Sequence, residues 1–306
     1  MLRIIDGLVF EGRPVPDTFT VTYHGLGHGH REVSVMPVIE WKESCELDPD
    51  SINGQIAAGL LDRDPDEVEE RRRFARLKSA RRAKTKVRRL CKVQGLDVLM
   101  TLTYRANQTD LALCKRHLEL FRYRMGRMFE GAGLGRFLFV AAFEPQGRGA
   151  WHVHLATRRV PPSLPVGGCR VKSFDAVRAV WRAVVGDLGG NVDIGGKRKR
   201  RGQRGAFSQR SPAKCAAYLS KYMLKDWETW PEGVRRFQAS QGAVPAPTRV
   251  QVVATNFADL IELCYSYAAD GKCDIVTSRV GRFGDSFYLA SERRQVDRST
   301  HCRAQD

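Results

Sequence analysis

The sequence predicts an α+β fold: a mostly antiparallel central sheet with flanking helices, plus N- and C-terminal extensions. Three observations carry that expectation. "DVLMTLTYR" (97–105) alternates apolar and polar residues. "RFLFVAAFE" (136–144) and "WHVHLAT" (151–157) read as two strands around the turn "PQGRG". Amphipathic helical patterns lie between and after them, and the order strand, helix, hairpin, helix, strand, helix suits this class rather than a doubly wound sheet.

Residues 1–64 read as a small acidic region, β-rich or partly flexible. Its "HGLGHGH" holds three histidines among Gly and Leu spacers and reads as a loop. A long helix starts at Asp64, which can cap it; Pro65 suits the first turn and "DEVEE" places acid at the positive end of the dipole. Its continuation, "RRRFARLKSARRAKTKVRRLCK", has twelve basic residues and no acid, and Gly95 can end it. Phe74, Leu77, Ala80, Ala83, Val87 and Leu90 form a narrow apolar stripe, so one face should dock. In 97–105, Met100, Leu102 and Tyr104 point one way, Thr101 and Thr103 the other. An amphipathic helix spans 110–129, and another spans about 173–188, capped by Ser173. "NVDI" (191–194) is a short strand, followed by a basic loop with Lys197, Arg198, Lys199 and Arg200. Ser211 and Pro212 open the helix "SPAKCAAYLSKYMLKD". Residues 230–249 read as a linker; Asn256 caps a helix to about Ala269, and a hairpin ends the chain. The resulting regions are 1–64, a basic helix 65–95, the sheet domain 96–229, and a linker with an α/β extension over 230–306.

The 306 residues, 42% hydrophobic, suffice for one large domain or a medium one with extensions. No apolar run approaches a membrane span, and the start lacks a signal pattern, so a soluble protein without membrane partners is expected. The eight cysteines form no C-x-x-C pair, which favours reduced buried thiols over a disulfide frame or zinc site. Net charge is +17, yet residues 1–70 carry fifteen acids against five bases, leaving about +27 on the rest. A body so basic points to nucleic acid, with Arg81, Arg82, Lys84 and Arg88 of the long helix as phosphate contacts. No G-x-x-x-x-G-K-[ST] occurs, which argues against a nucleotide-driven motor.

With a five-residue turn over 146–150, Glu144 pairs with His152 and Ala142 with His154. One sheet face then carries a carboxylate and two imidazoles, a donor set for a divalent metal with open positions. The opposite face carries Phe139, Ala141, Phe143, Trp151, Val153 and Leu155 as core. On the helix "SPAKCAAYLSKYMLKD", Lys214, Tyr218, Lys221, Tyr222 and Lys225 fall in one sector of roughly 100°. Two tyrosines among three lysines, away from the small and apolar residues, are poorly explained as core. Nearby ammonium groups and a metal-bound phosphate would favour their ionised form.

"LMTLTY", "HVH" and "YLSKYMLK", in this order over about 98–225, resemble rolling-circle replication initiators of the HUH endonuclease superfamily, of the two-tyrosine phage and plasmid type. The resemblance implies a DNA endonuclease and strand transferase acting on single-stranded origin DNA in a bacterial cytoplasm, with Mg²⁺ or Mn²⁺ as cofactor. His152, His154 and Glu144 would hold the metal. Tyr222 would make the first cut and Tyr218 the transfer, with Lys221 and Lys225 steadying phosphate charge. Attack would leave a 5′-phosphotyrosyl link and a 3′-OH primer, with host helicase and polymerase as partners. A relaxase or transposase would use the same chemistry. A histidine-triad phosphoesterase would need a further alternating histidine where Ala156 stands, and a two-His-box phosphoesterase a second His-x-Thr/Ser. A non-catalytic basic nucleic-acid-binding protein is the rival of another class.

Overall fold

Alternation of apolar and polar side chains specifies most of the extended segments, and the helices fall between them. The computed structural model describes residues 1–5, 8–46, 48, 50–57, 62, 64–194, 210–268 and 273–293. The chain opens with β1 (Leu2–Ile5), β2 (Leu8–Gly25), β3 (Arg31–Glu46) and the short α1 (Ile52–Ala57). The long α2 (Pro65–Val93) leads to β4 (Val98–Tyr104), α3 (Leu111–Gly131), β5 (Phe139–Pro145) and β6 (Trp151–Thr157). A hairpin of β7 (Ser163–Val166) and β8 (Cys169–Lys172) precedes α4 (Ser173–Val185) and β9 (Gly190–Asp193). Then come α5 (Pro212–Lys221), β10 (Phe237–Ala239), β11 (Thr248–Val253), α6 (Phe257–Ala268), β12 (Cys273–Val280) and β13 (Phe287–Arg293). Two units result: Met1–Arg72 with Pro245–Asp306, and Arg73–Val244.

In the first unit the strand order is β1-β2-β3-β13-β12, with β11 on β2, all antiparallel. Val21, Val33, Val35 and Leu289 pack with Leu260 and Cys264 of α6 into a single apolar cluster. "HGLGHGH" turns between β2 and β3, with Gly27, His28 and Gly29 all at positive φ, which glycine adopts without strain. Asn256 caps α6 by accepting from the Ala258 amide at 3.0 Å, as its sequence position predicts.

The second unit places helices on both faces of an antiparallel sheet ordered β10-β5-β6-β4-β9. One face supplies Met100, Leu102, Phe139, Phe143, Val153 and Leu155 to a core completed by α3 and α4. Trp181 of α4 is fully buried there, and its indole N–H donates to the Thr103 carbonyl at 2.9 Å. The other face supplies Leu99, Val140, Ala142 and Ala156, which pack against Val87, Leu90 and Cys91 of α2 and Cys215, Ala216 and Leu219 of α5. Both faces are covered, so the sheet is largely interior and only its ends can present polar chemistry. Among the described residues, no helix is long and apolar enough to cross a membrane.

Several expectations are corrected. Only the C-terminal part of the α2 stripe docks: Ala80, Val87 and Leu90 are buried, whereas Phe74 is 64% exposed. The cluster that holds α2 begins near Ala83, so the preceding turns have no core to face. Ser173 is the first residue of α4 rather than its side-chain cap; its hydroxyl bonds the Pro161 carbonyl instead. α5 ends at Lys221, and the chain continues in tighter i→i+3 turns through Leu224. Within the expected linker, β10 pairs with β5. Lys197, Arg198, Lys199 and Arg200 lie outside the described residues.

Candidate active site

β5 and β6 pair in the register that the turn length predicts, with Glu144 opposite His152 and Ala142 opposite His154. β4 borders β6 on its other side and sets Thr101 opposite His154. Side chains directly opposed on antiparallel strands share a face. The carboxylate, both imidazoles and the Thr101 hydroxyl therefore sit together at one end of the sheet.

Each imidazole is anchored through Nδ1. The Thr101 hydroxyl is 3.1 Å from Nδ1 of His154, and the Gln146 amide is 2.9 Å from Nδ1 of His152. Such outer partners fix ring orientation and leave Nε2 as the nitrogen that reaches inward. His154 Nε2 meets Glu144 Oε2 at 2.5 Å, and Lys225 Nζ donates to Glu144 Oε1 at 2.5 Å. Neither Thr101 nor Gln146 stands out as a site residue in the sequence. The alternation of 97–105 puts Thr101 on the correct face, but only the β4–β6 register identifies its partner.

α5 supplies the tyrosines. Ser211 caps it by accepting from the Lys214 amide at 3.3 Å, and Pro212 occupies its first turn. Small Ala213 and Ala216 face inward and are buried. Tyr222 stacks on His154, with ring centroids 4.2 Å apart and planes 4° apart. Tyr218 meets the same imidazole edge-on at 5.7 Å. The Tyr222 hydroxyl donates to the Tyr218 hydroxyl at 2.9 Å, so the two phenol oxygens occupy nearly one place. Lys221 Nζ lies 4.3 Å from the Tyr218 ring centre and 4.7 Å from that of Tyr222. The expectation that both tyrosines avoid the apolar side is corrected. Tyr222 is 4% exposed and belongs to the apolar cluster, and Tyr218 is half-buried against it.

Burial sets the electrostatics. It is the main force lowering the pKa of both His154 and His152, with Glu144 opposing it, so both rings are neutral at neutral pH. The His154–Glu144 contact is therefore a hydrogen bond from neutral imidazole to carboxylate. Burial alone would raise the Glu144 pKa, but hydrogen bonds from Lys225 and His154 hold it below the ordinary range. The Glu144 hydrogen bond raises the Lys225 pKa. Burial, then the Tyr218 hydroxyl, push the Tyr222 phenol well above its ordinary value, against the ionised form expected from the sequence.

The residues expected to hold a metal share one face, but they do not stand open. Among the described residues, no group of three His, Cys, Asp or Glu is spaced to grip an ion. The donor chemistry does fit one: two neutral imidazoles with anchored Nδ1 atoms and an ionised carboxylate. Of the expected DNA contacts, Arg81 and Arg82 are exposed on α2, whereas Lys84 and Arg88 are half-buried.

Residues 97–227, less than half of the chain, match the family model for replication-associated protein ORF2 and its relatives. The matched segment runs from β4 past α5 and so contains every side chain of this site. No curated protein and no solved structure matches the chain.

The packing and the chemistry of Tyr222 are separable. Tyr222→Phe keeps the stacked ring and should change unfolding free energy by only about 1 kcal/mol. Tyr222→Ala leaves a cavity beside His154 and should cost about 3–5 kcal/mol. Urea denaturation followed by circular dichroism checks both; equal losses would mean that the hydroxyl, not the ring, holds this end of α5.

Proposed function

We propose that this chain is a rolling-circle replication initiator of the HUH type, cutting single-stranded origin DNA by tyrosine transesterification. The match to replication-associated proteins supports the initiator role. The observation that carries the chemistry is the cluster itself: two phenol oxygens 2.9 Å apart, with one tyrosine stacked on a histidine of a His-x-His strand. A purely structural tyrosine pair has no need of a lysine above both rings or of a buried carboxylate beside them.

The residues that would hold a divalent ion, Mg²⁺ or Mn²⁺, are His152, His154 and Glu144. Bound there, the ion would supply Lewis-acid polarisation of a DNA phosphate. The chain's own groups do the rest. Thr101 can donate to or accept from His154 Nδ1, so the ring keeps its anchor when its Nε2 proton gives way to a ligand bond. Lys225, released from Glu144, and Lys221 neutralise phosphate charge. A tyrosine oxygen attacks phosphorus, forming a P–O bond to the protein while the bond to the 3′ oxygen breaks. The phenol proton departs and the 3′ oxygen gains one, leaving a 5′-phosphotyrosyl link and a 3′-OH that a host polymerase can extend behind a helicase.

Tyr222, fixed by the His154 stack, makes the first cut, since preorganisation favours the immobilised nucleophile. Tyr218 is half-buried, with its oxygen beside that of Tyr222, and takes the strand in transfer. Its neighbour's high pKa requires added positive charge before attack, which Lys221 and the ion provide. A non-catalytic DNA-binding role is the second reading. It is favoured by one observation, the saturation of Glu144 by Lys225 and His154.

Two experiments test the proposal. In nicking and joining assays on oligonucleotides with Mn²⁺, Tyr222→Phe should lose most initial nicking, and Tyr218→Phe should nick but fail in repeated rounds. The double variant should form no covalent adduct; an adduct persisting in it would move the nucleophile elsewhere. Separately, calorimetry with Mn²⁺ should find binding lost in His152→Ala and His154→Ala while DNA binding persists. Unchanged metal affinity in both would contradict the ligand assignment.

A further inference from the structure

A groove of about 760 Å³ runs along α2, outside the segment that matches the replication-associated family. One wall is a single face of the helix from Phe74 to Arg89, about 22 Å long at 1.5 Å per residue. It carries Lys78, Arg81, Arg82, Lys86 and Arg89, and among the described residues no acid lines the groove. The other wall is the backbone at Gly242, Ala243 and Val244.

That second wall is held in place. The Ser240 hydroxyl donates to Gln94 Oε1 at 2.8 Å, and the Ser240 amide donates to the Phe139 carbonyl at 2.9 Å. A Cβ at Gly242 would lie 2.7 Å from Gln94 Nε2, so glycine permits this close approach to the end of α2. Val244 packs against the core cluster below. Two features of the lining are left without a structural use. Phe74 is 64% exposed at the mouth, and Leu77 leaves an apolar strip between rows of cations.

We propose that this groove seats a single-stranded stretch of DNA, with phosphates on the α2 cations and a base stacked on Phe74. A duplex offers phosphates but hides its base faces, so it would use the cations and leave Phe74 idle. An unpaired strand uses both, the combination by which proteins hold single strands without reading sequence. The inference rests on the initiator reading only for the identity of the polyanion, and its site is distinct from the tyrosine cluster.

The test is fluorescence anisotropy of the full chain with a labelled oligonucleotide of about 20 nucleotides, chosen to exceed one binding site, and with its duplex. Phe74→Ala should weaken single-strand binding roughly tenfold, leave duplex binding unchanged, and leave the salt slope intact. Phe74→Trp should restore the affinity. Arg81→Gln with Arg82→Gln should instead flatten the single-strand salt slope by about 0.7 per lost contact. Unchanged single-strand affinity in Phe74→Ala, an equal loss on duplex, or tighter binding of the same sequence as RNA would each overturn the proposal. The assay is repeated with both tyrosines changed to Phe, which leaves the groove intact. Phe74-dependent binding by a chain that never forms an adduct keeps the groove and rejects the endonuclease; an adduct with Phe74 silent does the reverse.

Discussion

The register of β5 against β6 is the constraint on which the site depends. Side chains alternate along a strand, so a slip by one residue would turn Glu144, His152 and His154 into the aromatic core and bring Phe143 and Val153 out. The observed pairing keeps the three polar groups on one face, and β4 adds Thr101 to it. Alanines at 142, 156 and 216 share a buried cluster with Tyr222, and their small side chains let α5 lie close to the strands. The stack of Tyr222 on His154 thus follows from backbone pairing and from a set of residues without bulk.

Burial acts in opposite senses on the groups it encloses. It keeps both imidazoles neutral, which suits a metal ligand, and it keeps the Tyr222 phenol protonated, which does not suit a nucleophile. Lys225 and Glu144 neutralise each other at the rim. Incoming positive charge at the carboxylate would free an ammonium group for phosphate at the same moment. Without cargo the cluster is closed and quiet, in keeping with a chain that should cut only a strand already seated.

Local patterns make much of this legible in the sequence. The alternation of 97–105 and 151–157 marks strands and faces, the turn length sets the β5–β6 register, and Ser211-Pro212 marks the start of α5. Non-local pairings are not legible. β10 pairs with β5 across nearly a hundred residues, from a stretch rich in Pro and Gly, and β13 joins β3 from the far end of the chain. The apolar pattern overruns the end of α5 because Met223 and Leu224 continue it through the tighter turns that follow Lys221. Helical spacing groups Tyr222 with lysines and so predicts an outward face; its burial depends on the sheet face that receives it. The hydroxyl of Thr101 and the amide of Gln146 are ordinary groups until the fold sets them against the histidines.

The most direct test of the central claim is to locate the covalent bond. After reaction with single-stranded DNA and Mn²⁺, nuclease trimming and tryptic digestion separate the two tyrosines onto different peptides, since Lys214, Lys221 and Lys225 flank them. Tandem mass spectrometry should find a nucleotide phosphate on the peptide Tyr222–Lys225 early in the reaction, and on Cys215–Lys221 as transfer proceeds. A phosphate on any other residue, or none under conditions where the DNA is cut, would contradict the account.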